Sequence, residues 1–259
     1  MRQKAYVTNP PNISLFDTAK ETNVKLMGNL RYLESQYSHS FTNHSGLAIN
    51  ALVGFQGQYG ADAGWVFYKS KKDRMYFETV AGYGYFNAHS IIDNPRGSLF
   101  LLPGGDFYCQ NIESKYHKLF IQPSFFFGDN QNLYGITLRY TWSLFMDYRC
   151  KYYLKPYSAE YNSPPTEYVT ALFTNKFGYT VEPVITYRKK INRRYLYFQF
   201  GICFSGSSIS HDTLSNKPYQ SPKPYSYYSY STDFPLHAVF NINCGMEFGL
   251  KKKNRSDRH

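Results

Sequence analysis

The chain has 259 residues, a formal net charge of +11 and a mean hydropathy of -0.50, which suits one large domain or two small ones. No stretch approaches about 18 uninterrupted apolar residues, which excludes a transmembrane helix but not a transmembrane β-barrel, whose strands give a weaker signal. Aromatic residues make up 19% of the chain, and this composition suits strands that alternate between two different environments.

Apolar and polar residues alternate with a period of two in ten successive segments, and no window shows convincing helical periodicity. These segments are residues 22–31, 34–42, 46–57, 60–69, 74–87, 107–127, 133–147, 177–189, 194–207 and 234–250. Several reach the length of about nine to eleven residues that a tilted membrane strand needs. The sequence therefore predicts an all-β fold, an up-and-down antiparallel transmembrane β-barrel of about ten strands.

The connections between the predicted strands alternate in length. The short turns are residues 42–46, 69–74, 128–132 and 189–194, and the long connections are 88–106, 148–176 and 208–233. Barrels of the outer membrane have short periplasmic turns and long external loops in this arrangement. We therefore predict an N-terminal periplasmic segment over residues 1–21, a single barrel over 22–250 and a basic C-terminal tail over 251–259.

Charged residues on the polar face of the predicted strands must point into the lumen, because a charge facing lipid costs a few kcal/mol at mid-membrane. The predicted lumen charges are Asp62, Glu78, Arg139, Glu182, Arg188 and Glu247. They either pair into a plug or line a thin polar channel, and we favour the plug. In that arrangement Arg139 holds Glu78 or Glu182 in bidentate fashion.

The net positive charge comes mostly from basic runs at short turns and at the C-terminus. The runs are "KSKKDR" (69–74), "RKKINRR" (188–194) and "KKKNRSDRH" (251–259). Their position favours solvated strand ends over a patch that binds nucleic acid, so we expect no nucleic-acid partner.

No catalytic or metal-binding motif is found, and we predict neither enzymatic activity nor a cofactor. The cysteines have no CxxC or CxH spacing, which argues against a metal site. We assign Cys150, and also Cys109 at the start of the segment 107–127, to loops, where they could form a disulfide in an oxidising compartment, or remain unpaired. Cys203 and Cys244 lie within predicted strands and are expected to act as small apolar side chains.

Two N-terminal stretches carry a family resemblance: "AYVTNPPNISLFDTAKETNVKLMGNL" (5–30) and "YSHSFTNHSGLAINAL" (37–52). They resemble a family of outer-membrane β-barrel proteins from Bacteroidota whose function is poorly defined and some of whose members are lipoproteins. The resemblance extends over most of residues 5–205. Thr8 and Ser14 stand where that family has proline, and no residue here matches its lipidated cysteine. The resemblance implies an outer-membrane location in a mature form without a signal peptide.

The predicted role is that of a non-enzymatic scaffold in the outer membrane, in contact with the lipid bilayer and its lipopolysaccharide. Its long external loops would bind a partner, such as another outer-membrane protein complex. Tyrosine-rich loop sequence is suited to this because tyrosine supplies rigid amphipathic contact area. The predicted contact residues are Tyr219, Tyr225, Tyr227, Tyr228 and Tyr230. The alternatives are a porin-like narrow channel for small solutes and a soluble β-barrel that binds an apolar ligand.

Overall fold

The computed structural model describes residues 11–16, 19–55, 57–71, 75–91, 107–129, 131–154, 167–173, 177–192, 194–208, 211–214 and 237–249. Every regular element within these ranges is a β-strand. Among the described residues, no helix is long and apolar enough to cross a membrane.

Twelve strands are described, and ten of them form a closed barrel. The strands are β1 (Thr22–Gly28), β2 (Tyr32–Ser40), β3 (Ser45–Gly54), β4 (Tyr59–Lys71), β5 (Met75–Ile91), β6 (Phe107–Gly128), β7 (Asn132–Leu154), β8 (Glu167–Phe173), β9 (Phe177–Ile191), β10 (Arg194–Ser208), β11 (His211–Leu214) and β12 (His237–Gly249). Successive strands from β1 to β7 pair antiparallel, β7 pairs with β9, β9 with β10 and β10 with β12. The barrel closes where β12 pairs with β1. The predicted all-β, up-and-down barrel of ten strands is confirmed.

The two remaining strands extend one side of the wall. The first half of β7 pairs with β9, its end pairs with β8 from Arg149↔Leu172 to Leu154↔Glu167, and β11 pairs with β8. Both β8 and β11 fall in stretches that the sequence assigned to loops, because strands of seven and four residues are too short for a clear alternating pattern.

Cys109 and Cys150 also lie on strands, so their predicted loop position is wrong. Cys109 stands opposite Tyr152 and Cys150 opposite Ile112 in the β6–β7 ladder. The alternating pattern ended this strand at residue 147, whereas β7 continues to Leu154. Whether the two cysteines form the predicted disulfide lies outside the described side chains. Of the other two cysteines, Cys203 is buried and Cys244 exposed, and both are free thiols.

Side chains alternate strictly between the two faces of the wall, as the geometry of a strand requires. In β7, Ile136 and Trp142 are exposed on the outer face, whereas Thr137, Arg139 and Thr141 between them are buried inside. The inner face is largely polar and the outer face largely apolar. The arrangement is therefore the reverse of a water-soluble barrel, whose apolar residues fill the interior.

The β6–β7 turn shows how local chemistry sets the strand ends. Gly128 ends β6 with φ of 148°, and a Cβ there would lie 2.1 Å from the Asn132 carbonyl oxygen. The next residue, Asp129, accepts hydrogen bonds through its carboxylate from the N–H groups of Asn132 (2.6 Å) and Gln131 (2.7 Å). These hydrogen bonds stabilise the charged form and lower the pKa of Asp129 below its ordinary value.

Candidate functional site: the barrel lumen

The lumen is occupied by the chain's own N-terminal region. Residues 11–16, here named the plug segment, are all buried, and Asn12, Ile13 and Phe16 are fully inaccessible to solvent. The segment enters at the end of the barrel that carries the β2–β3 turn, where the Lys20 N–H donates to the Ser40 carbonyl oxygen (2.9 Å). The sequence placed residues 1–21 outside the barrel; the described part of that stretch instead runs inside it, because its polar backbone finds partners on the polar inner wall.

The first half of the plug segment is held by side chains that bind its backbone. The Gln122 side-chain amide accepts from the Asn12 N–H (3.0 Å) and donates to the Asn12 carbonyl (2.7 Å). The next carbonyl, that of Ile13, accepts from the Lys25 ammonium (2.5 Å) and from the Gln36 amide (3.1 Å). Side chains of the inner wall thus satisfy backbone N–H and carbonyl groups of a segment that is not itself a strand.

The second half of the plug segment surrounds one carboxylate. Glu78 accepts from the N–H groups of Ser14 (3.1 Å) and Leu15 (3.0 Å). Leu15 has φ of 48°, the left-handed conformation that lets successive N–H groups converge on an anion. This backbone conformation is costly for a leucine, so the hydrogen bonds to Glu78 and the surrounding packing must hold it in place. The Phe16 N–H follows and donates to the Tyr76 hydroxyl (3.0 Å).

Phe16 anchors the plug segment among aromatic rings. Its ring centroid lies 5.3 Å from that of Tyr68, which stacks at 6.1 Å on Tyr76, and Tyr76 meets Phe126 edge-on at 6.1 Å. Tyr68, Tyr76 and Phe126 are here named the aromatic floor. The floor places apolar area beneath Phe16 at the end where the segment enters.

The charge pair at mid-lumen joins Asp62 to Lys118. Their Oδ2 and Nζ atoms lie 2.7 Å apart, and the side chains are 0% and 1% exposed. Asp62 also accepts from the Asn12 side-chain amide (2.8 Å), which links the pair to the plug segment. The Lys118 ammonium lies 4.1 Å from the centroid of the Phe86 ring. Desolvation this complete makes the pair sensitive to the loss of either partner.

Of the two partners predicted for Arg139, Glu78 or Glu182, Glu78 is not the one it holds, because that carboxylate binds the plug segment. The Arg139 Nε–H donates to Gln122 Oε1 (3.0 Å), the same oxygen that accepts from the backbone of Asn12. Glu182 stands directly opposite Arg139 in the β7–β9 ladder, and both side chains are buried. The guanidinium therefore supports a contact with the plug segment.

The second described ion pair lies toward the end where the plug segment enters. Arg188 and Glu247 approach to 2.7 Å, and the Tyr197 hydroxyl donates to the same carboxylate. The Arg188 guanidinium also covers the ring of Tyr195, 3.5 Å from its centroid. The six lumen charges predicted from the sequence thus all lie on the inner side of the wall, in contact with different partners.

Three further charged residues of the inner wall were not predicted: Lys25, Glu34 and Lys118. Each lies at an inward position of its strand, so extending the alternation through β1, β2 and β6 would have found them. Glu34 is buried, and the charges of Asp62, Arg139 and Lys118 act on its carboxylate. A cavity of about 10 Å³, room for about one water molecule, lies beside Pro11 and Glu182.

The described side chains contain no group of three histidines, cysteines or carboxylates arranged to hold a metal ion. The predicted partner-contact residues lie outside the described residues. They are Tyr219, Tyr225, Tyr227, Tyr228 and Tyr230.

Neither a protein-family model nor a curated protein sequence matches the chain. The resemblance to Bacteroidota outer-membrane barrels therefore stays a prediction.

Proposed function

We propose that this chain is a non-enzymatic β-barrel of a bacterial outer membrane, which anchors long external loops that bind a partner. The observation that carries the proposal is the outer face of the barrel, where large apolar residues are exposed on every barrel strand from β1 to β12. Representative exposed residues, in strand order, are Leu26, Leu33, Ile49, Trp65, Phe77, Leu119, Ile136, Ile185, Phe198 and Ile242. A continuous apolar belt of this extent is a liability in water and suits a lipid surface.

The soluble alternative, a barrel that binds an apolar ligand, fits the lumen poorly. Such a site is lined mainly by apolar side chains with a few polar groups. Here the inner wall is mostly polar, and the space within it is taken by the plug segment. Both features favour a barrel that meets apolar surroundings on its outside.

The porin-like alternative requires a continuous path for solutes. The plug segment and the Asp62–Lys118 pair occupy the middle of the lumen, and the aromatic floor lies below them. We therefore expect the intact chain to give no steady conductance in planar bilayers. A stable ohmic current from the unmodified chain would favour the channel over the scaffold.

The membrane assignment is tested with the two tryptophans of the chain. Trp65 and Trp142 are 45% and 50% exposed on the outer face. In vesicles whose lipid chains carry bromine, which quenches nearby indole fluorescence, we expect strong quenching of both. Two single-tryptophan variants, Trp65→Phe and Trp142→Phe, assign the signal. A chain that stays folded and monodisperse without detergent, with unquenched tryptophans, would overturn the membrane proposal.

The partner-binding part of the proposal depends on the segments that join the strands at one end. These are residues 92–106, 155–166 and 215–236, of which the last is rich in tyrosine. We expect that replacing Tyr225, Tyr227, Tyr228 and Tyr230 with serine abolishes the crosslinks between this chain and its partner in intact outer membranes. The matched control replaces Lys217 and Lys223 of the same segment with serine. Equal crosslinking by both variants would exclude this segment as the contact.

A further inference from the structure

The plug segment is bound without belonging to the wall. Among the described residues, no backbone-to-backbone hydrogen bond joins residues 11–16 to a strand; the bonds that hold them come from side chains. The ladders of the barrel close through β1 and β12 independently of the segment. The segment can therefore leave the lumen without breaking a ladder bond.

The lumen recognises the segment through its peptide backbone. Side chains of the wall satisfy four backbone N–H groups and three carbonyl groups of the segment. The donors are the N–H groups of Asn12, Ser14, Leu15 and Phe16, and the acceptors are the carbonyls of Asn12, Ile13 and Ser14. Backbone bonds of this kind give affinity for a chain that adopts the same backbone path, including the left-handed fourth residue, and side-chain pockets give the selectivity.

Two side chains of the segment supply that selectivity. The Asn12 amide donates to Asp62 (2.8 Å) and its carbonyl oxygen accepts from the Asn50 amide. Phe16, four residues on, fills the space above the aromatic floor. The wall that remains when the segment is removed carries amides, carboxylates and ammonium groups, which water can solvate. An empty lumen would therefore be wet and open rather than collapsed.

We propose that the barrel lumen is a binding site for a short peptide segment with asparagine at its first and phenylalanine at its fifth position, occupied in cis by residues 12–16 as an exchangeable ligand. The ligands of this site are peptides, which it binds mainly through their backbone N–H and carbonyl groups. It is independent of the proposed scaffold role, because peptide binding is measured in detergent and needs neither a membrane nor the external segments.

The experiment uses the full chain with a protease site inserted between Ala19 and Lys20, where Lys20 is exposed at the barrel end. The barrel is folded intact in detergent micelles and then cleaved, so that the plug segment is bound only by its contacts. A fluorescent peptide with the sequence "PNISLF" is added, and its anisotropy is followed. We expect saturable replacement of the cleaved fragment at one peptide per barrel. A peptide with alanine at the positions of Asn12 and Phe16 is expected to bind at least about a hundredfold more weakly, since a buried phenylalanine alone accounts for that factor.

Variants of the wall separate this site from unspecific adsorption. Glu78→Gln removes the charge that the Ser14 and Leu15 N–H groups bind and should speed release of the labelled peptide at least about tenfold. The matched control is Glu113→Gln, a carboxylate exposed on the outside of β6, which should leave release unchanged. Equal binding of both peptides, equal release from both variants, or a cleaved fragment that never exchanges would each overturn the proposal. Loss of lipid insertion with peptide exchange retained would refute the membrane role alone.

Discussion

Replacing Lys118 with methionine tests whether the lumen is sealed. The substitution keeps most of the side-chain length and removes only the ammonium that lies 2.7 Å from Asp62. Removal of one partner from a fully desolvated ion pair costs about 3–5 kcal/mol, because the other charge stays buried and uncompensated. The same loss in a water-filled pore costs about 0–1 kcal/mol. Asp62 keeps its hydrogen bond from the Asn12 side-chain amide and its attraction to the charge of Arg139. We therefore expect a cost at the lower end of the range for a desolvated pair, about 3 kcal/mol.

The measurement is urea unfolding of the barrel in lipid vesicles, with fluorescence of Trp65 and Trp142 as the signal. Both indoles lie on the outer face, so under the proposed membrane assignment folding moves them from water to lipid. Lys115→Met is the matched control, since Lys115 is exposed on the same strand and should change the free energy of unfolding by less than about 0.5 kcal/mol. The double variant with Asp62→Asn should recover part of the loss. A cost below about 1 kcal/mol for Lys118→Met would show that water reaches the pair and would refute the sealed lumen.

Other positions should respond according to the contacts described above. Phe16→Ala empties the space over the aromatic floor and should lower the free energy of unfolding by about 3–5 kcal/mol in the same titration. The outward Phe125→Ala serves as its control, and an equal loss at both sites would contradict the anchoring role. Gly82→Ala places a Cβ 2.3 Å from a carbonyl oxygen of β4 and should lower the free energy of unfolding by about 1–3 kcal/mol. An unchanged midpoint of urea unfolding would show that the two strands are packed less tightly there. NMR titration should give the Asp129 carboxyl a pKa below its ordinary value of 3.8. The stability that the charged carboxylate gives the turn is therefore fully present above pH 3.8 and is lost as the pH falls through the folded pKa. A folded pKa at or above 3.8 would contradict the hydrogen bonds of that turn.

The strands and their faces were predictable because they depend on local alternation. Outward Trp142 and inward Arg139 follow from the period of two along β7 alone. The partners inside the lumen were not predictable in the same way, because two inward side chains meet across the barrel according to tilt and register. Arg139 was expected to hold Glu78 or Glu182, whereas Glu78 binds the backbone of Leu15.

The plug segment was missed for a different reason. Residues 11–16 have no periodic pattern, and nothing in "PNISLF" marks a segment whose partners lie between 9 and 110 residues away along the chain. One signal was available: the inner wall carries more buried polar groups than its own strands satisfy. Gln122 and Lys25 each donate to a carbonyl of the segment, and Lys25 donates in addition to Gln36 across the β1–β2 ladder. An excess of inward donors and acceptors in a narrow barrel therefore indicates that further backbone lies inside.

The distribution of charge within the lumen also favours a structural role over ion selection. The described inner wall carries four cationic residues and five anionic ones. They are Lys25, Lys118, Arg139 and Arg188, and Glu34, Asp62, Glu78, Glu182 and Glu247. A selective pore presents rings of one sign, which attract one class of ion and repel the other. Here the two signs are interleaved, and the net charge of +11 resides elsewhere in the chain. Interleaved charges bind one another and the dipoles of a polar peptide, so the same wall that would conduct poorly is well suited to hold the plug segment.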